Sequence, residues 1–300
     1  MLALVVPTLN PGALWVEWIA LFSRQVVKPD KVLIIDSGSS DGTVLLSENA
    51  GFEVFRIDAH DFNHGGTRQL AVELLPDAEI IIFMTQDALL ADVKSLQNIA
   101  ATFIDERVWA AYGRQLPHKG AGAIATHARM FNYGANSELR SLSDASKLGI
   151  KVSFISNSFA AYRRKVLLQV GGFPSNVILG EDQFVGAKII LEGGIIVYCA
   201  EATVFHSHDY TFLQEFRRYF DIGVFYERES WIRTSFGRAE GEGWRYVISE
   251  LKFLQHNCPL LIPSAILRVF LKYFGYRLGR AEAVFPIDIK RYFSMHKLFW

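Results

Sequence analysis

Cysteine is almost missing from this 300-residue chain: Cys199 and Cys258 are the only two. They lack metal-ligand spacing and cannot build a disulfide framework, so a reducing compartment is the expected setting. No charge sign is in excess. Lysine plus arginine and aspartate plus glutamate both number 31, which removes the basic surplus that a nucleic-acid partner asks for. Long hydrophobic runs are missing too. Nothing reaches the ~18 uninterrupted apolar residues that span a bilayer. The nearest stretch, Cys258 to Tyr276, carries Pro259, Pro263, Arg268 and Lys272. The opening MLALVVPTLN has no basic lead-in and meets Pro7 too early for a signal peptide. No repeat or low-complexity linker interrupts the chain.

What is present suits a packed core. Half of the residues are hydrophobic and 13% are aromatic, which argues against disorder. The charge is unevenly placed: 17 basic and 22 acidic residues precede position 210, and 14 basic and 9 acidic follow from it. A basic, aromatic tail fits either an anionic surface, such as a bilayer or a lipid pyrophosphate, or an ordinary solvated helical face.

The first half alternates strand and helix patterns. Leu2–Pro7, Lys31–Asp36, Glu53–Ile57 and Glu79–Met84 read as strands, and Trp15–Val26, Thr43–Ala50 and Gly66–Leu75 as helices. Near-continuous apolar strands between helices indicate a mainly parallel sheet covered on both faces. Further on, Ser153–Tyr162 and Gly193–Tyr198 read as strands, the latter continued by Thr203–Phe205, and Arg164–Val170 as a short helix. From Thr211 the pattern is helical, with breaks near Gly237–Gly243 and at Pro259, Pro263 and Pro286.

Ligands of such sheets sit at the carboxyl ends of the strands. There the sequence places polar segments. DSGSSDGT, Asp36 to Thr43, puts two acids around small residues that let a ligand approach the backbone; an Asx-rich turn capping the next helix reads equally well. Thr85-Gln86-Asp87-Ala88 offers an oxygen ligand for a divalent cation or, alternatively, a helix cap before Leu89–Val93. Glu181 and Asp182 in GEDQF could supply a general base or merely favour a helix N-terminus. His206 and His208, at i and i+2 on an extended segment, share a face and could reach a metal. FNHGGTR, Phe62 to Arg68, joins a glycine pair and an arginine at a helix start, where an anion or a capping Thr67 both fit.

In their order and spacing these segments resemble the inverting glycosyltransferases of family 2. The likeness runs over roughly residues 3–210, through VVPTLN, DSGSSDGT, the Arg68 helix, the acid after the third long hydrophobic strand, GEDQF and Val204-Phe205-His206. Within the family, FNHGGTR, TQDA, HSHDYTF, FRRYFDIG and SMHKLFW are similar to bacterial rhamnosyltransferases of O-antigen synthesis. The resemblance implies an α/β fold of the GT-A type over residues 1–210, with a nucleotide half to about 115 and an acceptor half beyond it. A mostly helical extension, 211–300, would follow.

It also implies roles. Pro7, Thr8 and Asn10 would line the nucleotide pocket with Ser37 and Gln86 beside them. Asp36 would contact base or ribose, and Arg68 would help hold the nucleotide. Asp87 matches the last acid of the family's DxD motif, whose first acid is Thr85 here. With His206, and His208 as a further candidate, it would bind Mg²⁺ or Mn²⁺. Asp182 rather than Glu181 would be the base. The implied donor is dTDP-rhamnose or another nucleotide-sugar, and the acceptor a lipid-linked oligosaccharide. The expected location is cytoplasmic, on the inner face of the bacterial inner membrane. Leu260–Tyr276 reads as an interfacial amphipathic helix or as a homodimer interface. A sugar-nucleotide-binding module without catalysis is the competing class, kept open by Thr85 and opposed by the acids of GEDQF.

Overall fold

The structure, a computed structural model, describes residues 1–237 and 241–300. Strand β1 (Leu2–Thr8) is buried on both sides, with Ala3 and Val5 on one face and Leu4 and Val6 on the other. A strand covered twice needs apolar side chains of both parities, and this is what its sequence supplies. Helix α1 (Ala13–Ser23) stacks Trp15, Trp18 and Phe22 beneath it, with ring centroids 4.8 and 5.5 Å apart. The alternation continues through β2 (Lys31–Asp36), α2 (Thr43–Asn49), β3 (Glu53–Arg56), α3 (His64–Leu74) and β4 (Ile80–Met84). Leu89–Leu90 is a two-residue strand, β5, and not a helix, because it pairs antiparallel with a late strand of the sheet.

Next come α4 (Ser95–Ala101), β6 (Val108–Leu116), α5 (Ala123–Asn132), β7 (Glu138–Arg140) and α6 (Ala145–Leu148). They are followed by β8 (Phe159–Arg163), α7 (Arg164–Gln169), α8 (Glu181–Leu191) and β9 (Ile195–Phe205). Only the second half of the strand expected at Ser153–Tyr162 is extended, since Gly149–Ser153 closes a 3-10 turn. The sheet order is β3-β2-β1-β4-β8-β6-β9-β5, with β7 on β9. Parallel pairing holds for β3-β2-β1-β4 and for β6-β9, and β8 runs antiparallel between the two sets.

This order fixes the place of the chemistry. The carboxyl ends of β1, β2, β4, β6 and β9 all point to one edge. The antiparallel β8 brings its amino end, preceded by Asn157, to that same edge. Two apolar clusters fill the space above and below: α1 and α4 pack on one face, and α3, α7 and α8 on the other, joined by Phe220, Val224 and Phe225 from the C-terminal helices.

Those helices are α9 (Phe212–Arg228), α10 (Ser230–Phe236), α11 (Glu242–Asn257), α12 (Ile262–Arg280) and α13 (Ile287–Phe293). A capping box at Thr211 and Gln214 starts α9. The break expected at Gly237–Gly243 lies in part outside the described residues; Gly237 follows α10 and α11 begins at Glu242. Pro263 does not interrupt a helix. It sits in the first turn of α12, where no intrahelical N–H is required. Backbone meets backbone between α9 and α12: a Cβ on Gly279 would lie 2.0 Å from the Phe220 carbonyl oxygen, and one on Gly223 2.3 Å from that of Tyr276.

Candidate active site

The loops beyond β1, β2 and β4 are tied into one platform. Thr8 Oγ1 donates to Asp36 Oδ2 at 2.9 Å, and Ser37 Oγ donates to the Thr8 carbonyl at 2.9 Å. Asp36 Oδ1 accepts the N–H groups of Gly38 and Ser39, at 3.1 and 2.9 Å. Asn10 adopts φ 45°, a left-handed conformation that asparagine tolerates, and its Oδ1 accepts the Ser40 N–H at 2.8 Å. Gln86 spans the gap to β4's loop, accepting from Leu9 N–H at 2.7 Å and donating to its carbonyl at 3.1 Å. Pro7 is tolerated in β1 because it lies beyond the last residue paired with β4, Val5. A cleft of about 530 Å³ opens over this platform, lined by Asp36, Gly38, Ser39, Arg56 and Asp58.

Asp87, His206 and His208 form a compact ligand set. One ligand atom of each lies within 4.8 Å of the others. His206 Nε2 is 3.5 Å and His208 Nε2 3.7 Å from Asp87 Oδ2, too long for good hydrogen bonds and suited to atoms that face a common point. Gln115 Oε1 engages His206 Nδ1 at 2.9 Å, which leaves Nε2 to face the cluster. Arg129 donates to the same Gln115 oxygen, and Gln115 Nε2 donates to Ser156 Oγ at 2.9 Å. Burial works against the charged form of Asp87, yet its contacts with His206, then Thr85 and His208, hold it well below the usual carboxylate range. Burial, with His206 beside it, pushes His208 down to about 4. An ionised carboxylate and a neutral imidazole are the forms that bind a cation.

Glu181 and Asp182 open α8 after Gly180, whose φ of 76° sets the turn. Adjacent in sequence, they have opposite surroundings. Glu181 Oε1 meets Arg68 Nη1 at 3.1 Å and Asn157 Nδ2 at 3.1 Å, all buried. Burial alone would raise Glu181, but Arg68 holds it below its ordinary value. Asp182 has no cation partner among the described residues. Its Oδ2 accepts the Asn157 N–H at 3.1 Å and its Oδ1 the Gln183 N–H at 2.8 Å. Burial first, then the Glu181 charge, pushes Asp182 up to about 7, the poise of a base that takes a proton near neutrality.

A cavity of about 1280 Å³ contains Asp87, His206, His208, Arg68, Glu181 and Asp182 together. Arg68 points at Glu181, and its Nη1 also donates to the His64 carbonyl at 2.8 Å. Helix α3 begins two residues before the expected Gly66, with Asn63 and not Thr67 as its cap, through Gly66 N–H at 2.8 Å. Sequence reading missed the supports: Gln115, Arg129, Asn157 and Tyr162, whose hydroxyl donates to Asn157 Oδ1 at 2.8 Å. None carries a local signal, because Gln115 and Asn157 act on residues 91 and 25 positions away, and Arg129 and Tyr162 act through those two.

Comparison with known proteins gives the family and the fold. The model of the family described as Glycosyl transferase family 2 matches residues 3–171. O-antigen chain rhamnosyltransferase RfbN of Salmonella typhimurium is 50% identical over 300 residues, 100% of this chain and 96% of that protein. O-antigen chain rhamnosyltransferase WbaN of Salmonella anatum is 47% identical over 99% of this chain and 95% of its own. Among solved structures, mannosyltransferase PcManGT from Pyrobaculum calidifontis, in complex with GDP-Man and Mn²⁺, superposes with a TM-score of 0.58 at 17% identity, covering 99% of this chain and 84% of its own. S. aureus TarS 1–349, in complex with UDP-GlcNAc, gives 0.56 at 14%, covering 94% and 91%. At such identities the likeness is one of fold, the GT-A fold.

Proposed function

The chain belongs to glycosyl transferase family 2 and is a glycosyltransferase; from that premise we propose that it moves L-rhamnose from dTDP-rhamnose, with inversion, to a hydroxyl of a lipid-linked saccharide in O-antigen synthesis. The observation that carries this reading is the shared cavity: a poised carboxylate, Asp182, and a cation-ready set, Asp87, His206 and His208, open into one space. Full-length identity to two rhamnosyltransferases supports the sugar.

Asp182 accepts the proton of the attacking hydroxyl. A new bond forms from that oxygen to the anomeric carbon while the bond to the nucleotide diphosphate breaks, and dTDP leaves. One displacement inverts the centre, so a β-L-rhamnosyl donor yields an α-L-rhamnoside. Glu181 stays ionised against Arg68 and keeps Asp182 basic enough to work. Asn157 orients both carboxylates. The donor set of one carboxylate and two imidazoles fits a divalent cation held by Asp87, His206 and His208. Nitrogen ligands favour Mn²⁺ over Mg²⁺. When bound, the cation neutralises charge on the departing diphosphate. The platform of Thr8, Asn10, Asp36, Ser37 and Gln86 shapes the nucleoside end of the site.

The same reading sets the enzyme on the cytoplasmic membrane surface, next to its acceptor. No helix of the described residues is long and apolar enough to cross a bilayer. Helix α12, however, is turned inside out. Arg268 and Lys272 point inward to Glu215, while Ile266, Leu267, Phe270, Tyr273 and Phe274 are 44–56% exposed along one face. Leu260, just before α12, is 93% exposed, and Lys252 of α11 and Arg277 of α12 are exposed as well. Aromatic and basic side chains together suit an anionic headgroup layer.

The test is transfer by the purified protein with Mn²⁺, a lipid-linked acceptor and a panel of sugar nucleotides. dTDP-rhamnose should give the α-linked product and the largest thermal stabilisation. Transfer from a different sugar nucleotide alone would overturn the donor assignment.

A further inference from the structure

The segment Ser294–Trp300 has no task in the transfer as derived above, yet it is built into the active-site cavity. After α13 the chain folds back on α9. Phe293 packs against Phe216 and Phe220, at 5.3 and 5.6 Å between ring centroids. Ser294 is fully buried, and the Met295 N–H donates to Asp221 Oδ2 at 2.8 Å. Trp300 closes the far side, with the Arg228 guanidinium and the Lys290 ammonium each 5.1 Å from its ring centre. His296 is therefore clamped before and after. Its ring meets that of His64 edge-on at 5.1 Å, and both rings line the cavity of Asp182 and Asp87. The backbone carbonyl of His64 accepts from Arg68 Nη1 at 2.8 Å, and Arg68 is the partner of Glu181.

The clamp is costly. Asp221 is fully buried in α9 with no ion-pair partner among the described residues, and an unpaired buried carboxylate is strongly disfavoured. Burial, with the Ser294–His296 segment as its hydrogen-bond partner, leaves Asp221 raised to about 6. What that cost secures is the position of the next residues, whose one polar side chain directed at the cavity is His296. Burial lowers both imidazoles, His296 to about 4. A neutral ring offers one donor and one acceptor, the complement of a hydroxyl and a poor match for a phosphate.

We infer that His296 hydrogen-bonds a sugar hydroxyl of a substrate in this cavity, and that Asp221 is the positioning residue that holds it there. The inference rests on the glycosyltransferase reading and adds to it a residue outside the matched family region, 3–171. The hydroxyl belongs either to the donor sugar or to the acceptor saccharide.

The experiment uses the full chain with His296→Ala, His296→Gln, Asp221→Ala and Asp221→Asn. Kinetic constants for dTDP-rhamnose and acceptor are measured beside the dissociation constants of dTDP and dTDP-rhamnose with Mn²⁺. His296→Ala should cut kcat/KM about 10-fold, the loss of one uncharged hydrogen bond, and leave dTDP binding unchanged. A donor contact weakens dTDP-rhamnose relative to dTDP; an acceptor contact raises the acceptor KM alone. His296→Gln should recover most of the loss. Asp221→Ala should give the same kinetic defect with faster amide exchange over 294–300, and Asp221→Asn, which can still accept the Met295 N–H, should restore it. Wild-type constants for both substrates in His296→Ala overturn the inference, as does an equal loss of bare dTDP binding. A wild-type enzyme inactive with dTDP-rhamnose refutes the donor reading instead. His296 is then judged by the same sugar-nucleotide-to-nucleotide binding ratio, using whichever sugar nucleotide of the panel stabilises the protein.

Discussion

Two neighbouring carboxylates in opposite surroundings show how much those surroundings decide a residue's proton affinity. Glu181 faces a buried guanidinium, and Asp182 faces backbone N–H groups and the Glu181 charge. Asp182→Asn should leave donor binding nearly intact and reduce turnover by about 10²–10⁴; full turnover in that variant would remove Asp182 as base. A base works only when deprotonated, so kcat/KM in the wild type should rise with pH and level off above about 7, the value to which Asp182 is raised. Arg68→Met should strand Glu181 in a buried site and cost about 3–5 kcal/mol of stability in urea unfolding. At the cation cluster, Asp87→Ala should abolish the metal dependence of donor binding in calorimetry. Chelated wild-type enzyme should be inactive and regain more activity with Mn²⁺ than with Mg²⁺.

Among the elements, the α9/α12 pair is set by three small residues. Gly223, Gly275 and Gly279 let the two helices touch through their backbones. Gly279→Ala would put a methyl 2.0 Å from the Phe220 carbonyl oxygen, and neither backbone can yield without moving its helix. The expected cost is about 1–3 kcal/mol, the range for overpacking, read as a lower thermal midpoint. Asp221, which holds the His296 segment, rides on α9, so activity should fall along with stability. The short strand β5 is a smaller case. Leu89–Leu90 has helix-compatible residues, but pairing with Val204 and Phe205 of β9 gives its backbone groups partners, and this tertiary pairing overrides local preference. The bulge in β9 between the residues paired with Gly113 and Arg114 then carries the strand on to His206.

For the molecule as a whole, the prediction concerns the aromatic face of α12. A bilayer surface predicts that the protein floats with anionic liposomes, that floating weakens with salt, and that Phe270→Glu with Phe274→Glu abolishes it while transfer to a water-soluble acceptor analogue persists. Equal flotation of wild type and variant would remove the membrane reading. A dimer in ultracentrifugation that the same pair of changes breaks would assign the face to a second copy.

The strands of the first half, the loops beyond them and the six residues of the cavity were legible in the sequence, because each depends on local pattern: apolar parity, a turn of small residues, an acid at a strand end. The family likeness supplied their order. What the sequence could not carry was how these residues pair with one another. Arg68 reads as an anion ligand until Glu181, 113 positions later by number, is seen to lie 3.1 Å away. Gln115 and Asn157 have no signature of their own, and the motifs FRRYFDIG and SMHKLFW give no task for their Asp221 and His296, since each acts through a partner that only the folding of distant segments brings near. Charge burial and proton affinity follow from that proximity. The tertiary structure therefore decided which of the two acids is paired with an arginine and which is raised towards neutrality, and which side of α12 faces out.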